Sequence, residues 1–172
     1  MAYDPAKGHT ALRRGRFSQA QSEYFLTICT ADKGGDLTAS ALAQAVLNEA
    51  KVMSSDGTWK LHCAVLMPDH VHLLIALGDR LPLGKTVQRL KAKTAAALRS
   101  DGLQWERGFF DRKLRPDDDR LHLFLYIYLN PYRANHCART KCWPWFYCRE
   151  EDWAWFQAYL DQDLPPPEWI VS

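Results

Sequence analysis

His70 and His72 stand one residue apart within residues 61–75, Leu-His-Cys-Ala-Val-Leu-Met-Pro-Asp-His-Val-His-Leu-Leu-Ile. In an extended segment alternate side chains share a face, so both imidazoles project together, about 7 Å apart along the backbone, while Val71, Leu73 and Ile75 point the other way. Two adjacent imidazoles can hold a divalent cation, although such a pair is more often plain polar strand surface. A metal needs a third ligand. Far along the chain, Tyr126 and Asn130 lie four apart in an apolar run and share one helix face, whereas Tyr128 is turned by about 200° and is expected inside. The Asn130 amide oxygen is a competent hard ligand. Pro131 disfavours helical geometry at Asn130 and is expected to bend the chain there.

The elements that must carry these side chains follow from pattern. Pro68-Asp69 joins two apolar runs, 59–67 and 70–77, because proline presets the first central position of a tight turn and aspartate suits the second. The result is a hairpin whose second strand begins at His70. Before it, residues 23–30 are aromatic and β-branched and read as a buried strand. Residues 38–53 place Leu42, Ala45, Val46, Glu49 and Met53 near helical spacing, with Thr38 or Ser40 as the cap. After the hairpin, residues 84–100 hold Val87, Leu90, Thr94, Ala97 and Leu98 on one side of a second helix. Residues 105–115 suggest a short fourth strand. Asp117, Asp118 and Asp119 suit the start of a third helix over 121–130, and this outweighs a carboxylate metal cluster. The order strand, helix, strand, strand, helix, strand, helix predicts an α+β fold: a ferredoxin-like antiparallel sheet with helices on one face, plus an extra C-terminal helix and an aromatic tail.

Charge is distributed unevenly. Residues 150–172 hold six acids and no Lys or Arg, which leaves 14 acids against 22 bases in residues 1–149, a net +8. Such a field favours polyanions. The second helix carries Lys85, Arg89, Lys91, Lys93 and Arg99 without an acid, a one-sign surface suited to a phosphate backbone. Arg13, Arg14 and Arg16 lie in a basic arm, residues 1–22. The five cysteines lack C-x-x-C spacing and are expected as free thiols, so a zinc protein using Cys63, Cys137 or Cys142 with the histidines ranks low. With no apolar run of membrane length and no leader-like start, the chain is expected to be soluble and cytoplasmic.

Met67-Pro68-Asp69-His70-Val71-His72-Leu73-Leu74, Trp105-Glu106-Arg107-Gly108-Phe109-Phe110-Asp111 and Tyr126-Ile127-Tyr128-Leu129-Asn130-Pro131-Tyr132-Arg133-Ala134, in this order, resemble the single-tyrosine transposases of the His-hydrophobe-His class, and within it the REP-associated tyrosine transposases of bacteria. The resemblance covers about residues 23–147, since Trp143-Pro144-Trp145 follows the same pattern. Phe146-Tyr147 departs from it where serines are common, which leaves target specificity open. The resemblance implies a catalytic domain over 23–136 that cuts and rejoins single-stranded DNA beside a hairpin, with 137–172 as a tail outside it. It implies His70 and His72 as the metal pair, Tyr126 as nucleophile, Asn130 as third ligand, and Mg²⁺ or Mn²⁺ as cofactor. Contacts with DNA are then expected from Arg13, Arg14 and Arg16, from Lys85, Arg89, Lys91 and Lys93, and from Arg112, Lys113, Arg115 and Arg133. The implied protein is a monomer or homodimer acting on nucleoid DNA in the bacterial cytoplasm, without membrane or nucleotide cofactor. The rival is a module on the same fold that binds DNA and has lost the chemistry.

Overall fold

A computed structural model describes residues 18–31 and 34–170. The basic arm over 1–22, with Arg13, Arg14 and Arg16, therefore falls almost wholly outside the described residues. Five strands form one antiparallel sheet: β1 (Glu23–Cys29), β2 (Trp59–Met67), β3 (His70–Leu77), β4 (Phe110–Lys113) and β5 (Phe146–Cys148), in the order β4-β1-β3-β2-β5. Four helices accompany them: α1 (Ser40–Ser55), α2 (Leu83–Ser100), α3 (Arg120–Arg133) and α4 (Glu150–Phe156). The first four strands and two helices have the ferredoxin-like arrangement that the pattern predicts.

Strand alternation divides the core in two. Leu26, Ile28, Val71, Leu73 and Ile75 point to one face, where α1 supplies Leu42, Val46 and Met53 and α2 supplies Val87, Leu90 and Leu98. Burying each such side chain contributes roughly 1.5–3 kcal/mol relative to leaving it in water. Phe25, Cys63, Val65, Met67 and Leu74 point to the other face, where α3 contributes Phe124, Ile127, Tyr128 and Tyr132. The sheet is thus covered on both faces, two helices on one side and the extra helix on the other.

Local chemistry fixes the details. Met67 pairs with His70 across the two-residue Pro68-Asp69 turn. Asp119 caps α3 by accepting from the His122 amide, as an acid before a helix should. At α1 the cap is Ala39 without a side-chain bond, and Thr38 instead donates to Asp36. Pro131 lies inside α3, which runs on to Arg133, so the helix does not end at Asn130. A proline there removes one backbone donor but leaves Asn130 on the helix.

Residues 137–170 pack on this fold. Their β5 extends the sheet along β2, and Trp143, Trp153, Trp155, Trp169 and Ile170 pack on the α3 side. No described helix is long and apolar enough to cross a membrane.

Candidate active site

His70 and His72 open β3 on the α3 side of the sheet, where the hairpin turn ends. Their Nε2 atoms face each other at 3.1 Å. Each outer nitrogen is anchored: His70 Nδ1 lies 2.6 Å from Asp69 Oδ1, and His72 Nδ1 lies 2.9 Å from Thr27 Oγ1. A carboxylate only accepts, so Nδ1 of His70 carries a proton, and Nε2 is the nitrogen turned toward His72. Thr27 is not so restrictive, since a hydroxyl can donate or accept. When it donates to His72 Nδ1, the two imidazoles can share a hydrogen bond through Nε2. When it accepts, both Nε2 lone pairs are free for a cation, and both rings are held by the outer-nitrogen contacts that metal-binding histidines usually make.

Burial is the main influence on His72, 5% exposed, and with the neighbouring His70 it lowers its pKa to about 3, against a smaller opposing pull from Asp69. The ring is therefore neutral at physiological pH, the form that can donate a lone pair.

Tyr126 comes to this pair from α3. Its ring centroid is 5.5 Å from that of His72 and 5.7 Å from that of Phe25, edge-on to each. Phe25 in turn stacks on His72 at 5.2 Å. The hydroxyl-bearing side chain is 41% exposed. Tyr128 differs on every count: it is buried, its hydroxyl donates to the Asp163 carbonyl, and burial pushes its pKa up. Only the first of these two phenols is placed to meet a substrate at the histidines. Asn130 sits one turn beyond Tyr126, half-buried on the same helix face, and no hydrogen bond joins its amide to either imidazole. Within the described residues no three His, Cys, Asp or Glu side chains form a metal-sized cluster, so a third protein ligand for the pair must be of another type, such as an amide. None of the five cysteines is in a disulfide, and among the described residues they form no such cluster with the histidines.

The basic positions are more scattered than their spacing suggests. Helix α2 packs on the sheet face opposite the histidines. Arg89 there bonds to Asp56 and Thr58, and Lys91 donates to the Glu106 and Gly108 carbonyls. Both tie α2 to neighbouring loops. Lys85 reaches Gln88, and Lys93 is exposed. On β4 and after it, Arg112 pairs with Asp118, Lys113 donates to Gln19, and Arg115 is exposed. Arg133 reaches the Trp169 carbonyl. Sequence reading assigned Asp69 only to the turn and gave Thr27 and Phe25 no role. An acid directly before a histidine pair was an available signal for Asp69; Thr27 needs the strand register.

Residues 18–114 match the family model described as IS200-like transposase. The match takes in both histidines and ends before α3. A curated protein of Haemophilus influenzae, described as a REP-associated tyrosine transposase, is 30% identical over 119 residues, which are 60% of this chain and 62% of that protein. The chain therefore spans less than two thirds of that relative. Among solved structures, a REP-associated tyrosine transposase bound to a REP hairpin superposes with a TM-score of 0.65 at 19% identity, over 76% of this chain and 79% of that one. At that identity the likeness is one of fold. A transposase structure from Deinococcus radiodurans aligns at 20% identity with a TM-score of 0.48, over 73% of this chain and 98% of that one.

Proposed function

This chain belongs to the IS200-like transposase family, and from that premise we propose that it cleaves and rejoins single-stranded DNA beside a hairpin, with Tyr126 as nucleophile and His70, His72 and Asn130 as ligands of a divalent cation. The observation that carries the proposal is the approach of an exposed phenol on α3 to an outward-anchored imidazole pair on β3, its ring centroid 5.5 Å from that of the buried, neutral His72. A stem-loop partner is favoured by the hairpin-bound neighbour with the same fold.

The donor set fits such a cation. Two imidazole nitrogens face one another, their outer nitrogens are held, and the deeper ring stays neutral. When bound, a cation would withdraw charge from the non-bridging oxygens of the scissile phosphate and lower the barrier to attack. Because imidazole is softer than the oxygen ligands magnesium prefers, Mn²⁺ is expected to bind more tightly than Mg²⁺.

The protein's own part is positioning. A tyrosine hydroxyl, with a pKa of about 10 in water, is a weak nucleophile at pH 7, so placement must supply much of the rate. Phe25 and the His72 ring hold the phenol edge-on at the mouth of the site. Its oxygen bonds to phosphorus as the P–O3′ bond breaks; the phenol loses its proton, and the departing oxygen takes one up to become a 3′-hydroxyl. The 5′-phosphotyrosine link keeps the phosphodiester energy, so attack by another 3′-hydroxyl rejoins DNA without ATP. Arg112, Arg115 and Arg133, on β4, just after it and on α3, are exposed basic groups that can meet phosphates near the site, whereas Lys85 and Lys93 lie on α2, across the sheet.

Incubation with single-stranded stem-loop oligonucleotides and Mn²⁺, followed by a denaturing gel, tests this. A covalent adduct should form, vanish with chelator and return with Mn²⁺. Tyr126→Phe should abolish it while leaving DNA binding intact. Loss through Tyr128→Phe instead would overturn the assignment, and an adduct-free wild-type protein that still binds DNA would favour a module without the chemistry.

A further inference from the structure

We propose that Phe110 is the stacking platform of the cleavage site, against which the unpaired base next to the scissile phosphate lies. The proposal rests on the assignment of Tyr126 as nucleophile and says which group seats the nucleotide that Tyr126 attacks.

Phe110 begins β4, an edge strand, and is 53% exposed. Phe110 is separated from Tyr126 by one ring, Phe25, which touches both, and an open aromatic face in that position is a surface on which a base can stack. The register fixes its direction. Thr27 pairs with His72 on one side and with Phe110 on the other, so all three point to the α3 face. Phe25 connects them: its ring lies 5.2 Å from His72, 5.7 Å from Tyr126 and 6.5 Å from Phe110. The inner ring is covered, and the outer one faces solvent. A base has a π-face whatever its sequence, so such a ring can hold any unpaired nucleotide.

The surroundings suit a nucleic-acid strand rather than an apolar peptide. Arg112, exposed and on the same face as Phe110, pairs with Asp118. Across the β4 edge a groove of about 930 Å³ runs between that strand and α2, with Phe110 at its lip and Lys91, Arg107, Phe109 and Lys113 in its wall. A chain leaving the histidines over β4 thus passes from the aromatic platform to a basic, aromatic groove. This route also links the site to the face on which α2 lies.

The test uses the full chain and a stem-loop oligonucleotide whose cleavage position has been mapped by the adduct. 2-Aminopurine replaces the base on either side of the scissile phosphate in turn. Wild-type protein should quench its fluorescence at one of the two positions. Phe110→Ala should abolish that quenching and slow adduct formation roughly 10-fold or more, with stem-loop affinity and melting temperature unchanged. Phe110→Trp should restore both readouts, and Phe110→Leu, which keeps apolar volume without a π-face, should restore neither. Quenching that survives in Phe110→Ala, or full rescue by Phe110→Leu, would overturn the proposal. Fluorescence in a Tyr126→Phe background keeps the two assignments separable: quenching there reads Phe110 even if the adduct proves to form elsewhere.

Discussion

Two histidine-carboxylate constellations sit on the same sheet face, and they are finished to different degrees. At the Pro68-Asp69 end, His70 and His72 have their outer nitrogens held while the inner ones face only each other. Toward the other end of β2, His62 lies between two carboxylates, 3.0 Å from Glu23 and 2.8 Å from Asp152. Arg120, at the start of α3, bonds to Glu23 and to Asp152, and Arg149 bonds to Asp152 at 2.9 Å. Charge there is matched by countercharge from four elements or their flanks. A charge-matched network of this kind serves as a fastener, even though His62 Nε2 lies near Glu23 without an aligned hydrogen bond; the imidazole pair, by contrast, keeps lone pairs for something that arrives from outside. The fastener joins β1, β2, the first turn of α3 and the start of α4, and therefore helps set where α3 carries Tyr126.

The contrast breaks most visibly at Asp152, which is 4% exposed. Burial is the largest influence on its carboxyl and pushes its pKa up, yet hydrogen bonds from Arg149 and His62 outweigh it and keep the group below its usual range. Asp152→Ala leaves those partners without their shared acceptor and should cost about 3–5 kcal/mol of stability. Urea unfolding would measure it. A loss under 1 kcal/mol would mean that the cluster fastens little.

At the open pair the corresponding change should act on ligand affinity instead. Asp69→Asn keeps a turn-compatible residue and an acceptor for His70 Nδ1 but removes the charged acceptor that fixes the orientation of this ring. Mn²⁺ binding, followed by calorimetry, should weaken about 10- to 100-fold, with little change in melting temperature. An unchanged affinity together with a lower melting temperature would make Asp69 a turn residue and nothing more.

The same contrast explains what could be read from the chain in advance. The open site was legible because its parts are local: Pro68-Asp69 sets the turn, alternation puts His70 and His72 on one face, and a four-residue interval puts Tyr126 and Asn130 on another. Asp119 as the α3 cap follows from the same short-range rules. The fastener was not legible. Glu23, His62, Arg120 and Asp152 come from distant parts of the chain and meet only through register, including the irregularity between Leu61 and Cys63 that surrounds His62. The ion pair of Arg89 was hidden for the same reason, since its acid, Asp56, lies beyond its own helix. The aromatic rings of the tail pack on the α3 side; that the tail would also supply β5 required knowing that β2 had an unpaired edge.

The smallest effect tests whether the fastener is electrostatic at all. The nearby His62 and then Arg120 hold the Glu23 carboxyl down to about 2, against burial that would raise it from 4.5. A carboxyl depressed in the folded state stabilises it fully above the unfolded value, and that contribution fades as pH falls from 4.5 through 2. Its side chain is 28% exposed, so solvent screening reduces the gain to about 1 kcal/mol. Glu23→Gln should therefore lower the urea midpoint at pH 6, and the gap from wild type should narrow at pH 4 and close further at pH 3. Asp152, present in both proteins, largely cancels from the difference. A gap that stays constant over this range would show that Glu23 acts through shape and neutral hydrogen bonds, and the distinction between a charge-matched fastener and an open imidazole pair would then rest on Asp152 and the arginines alone.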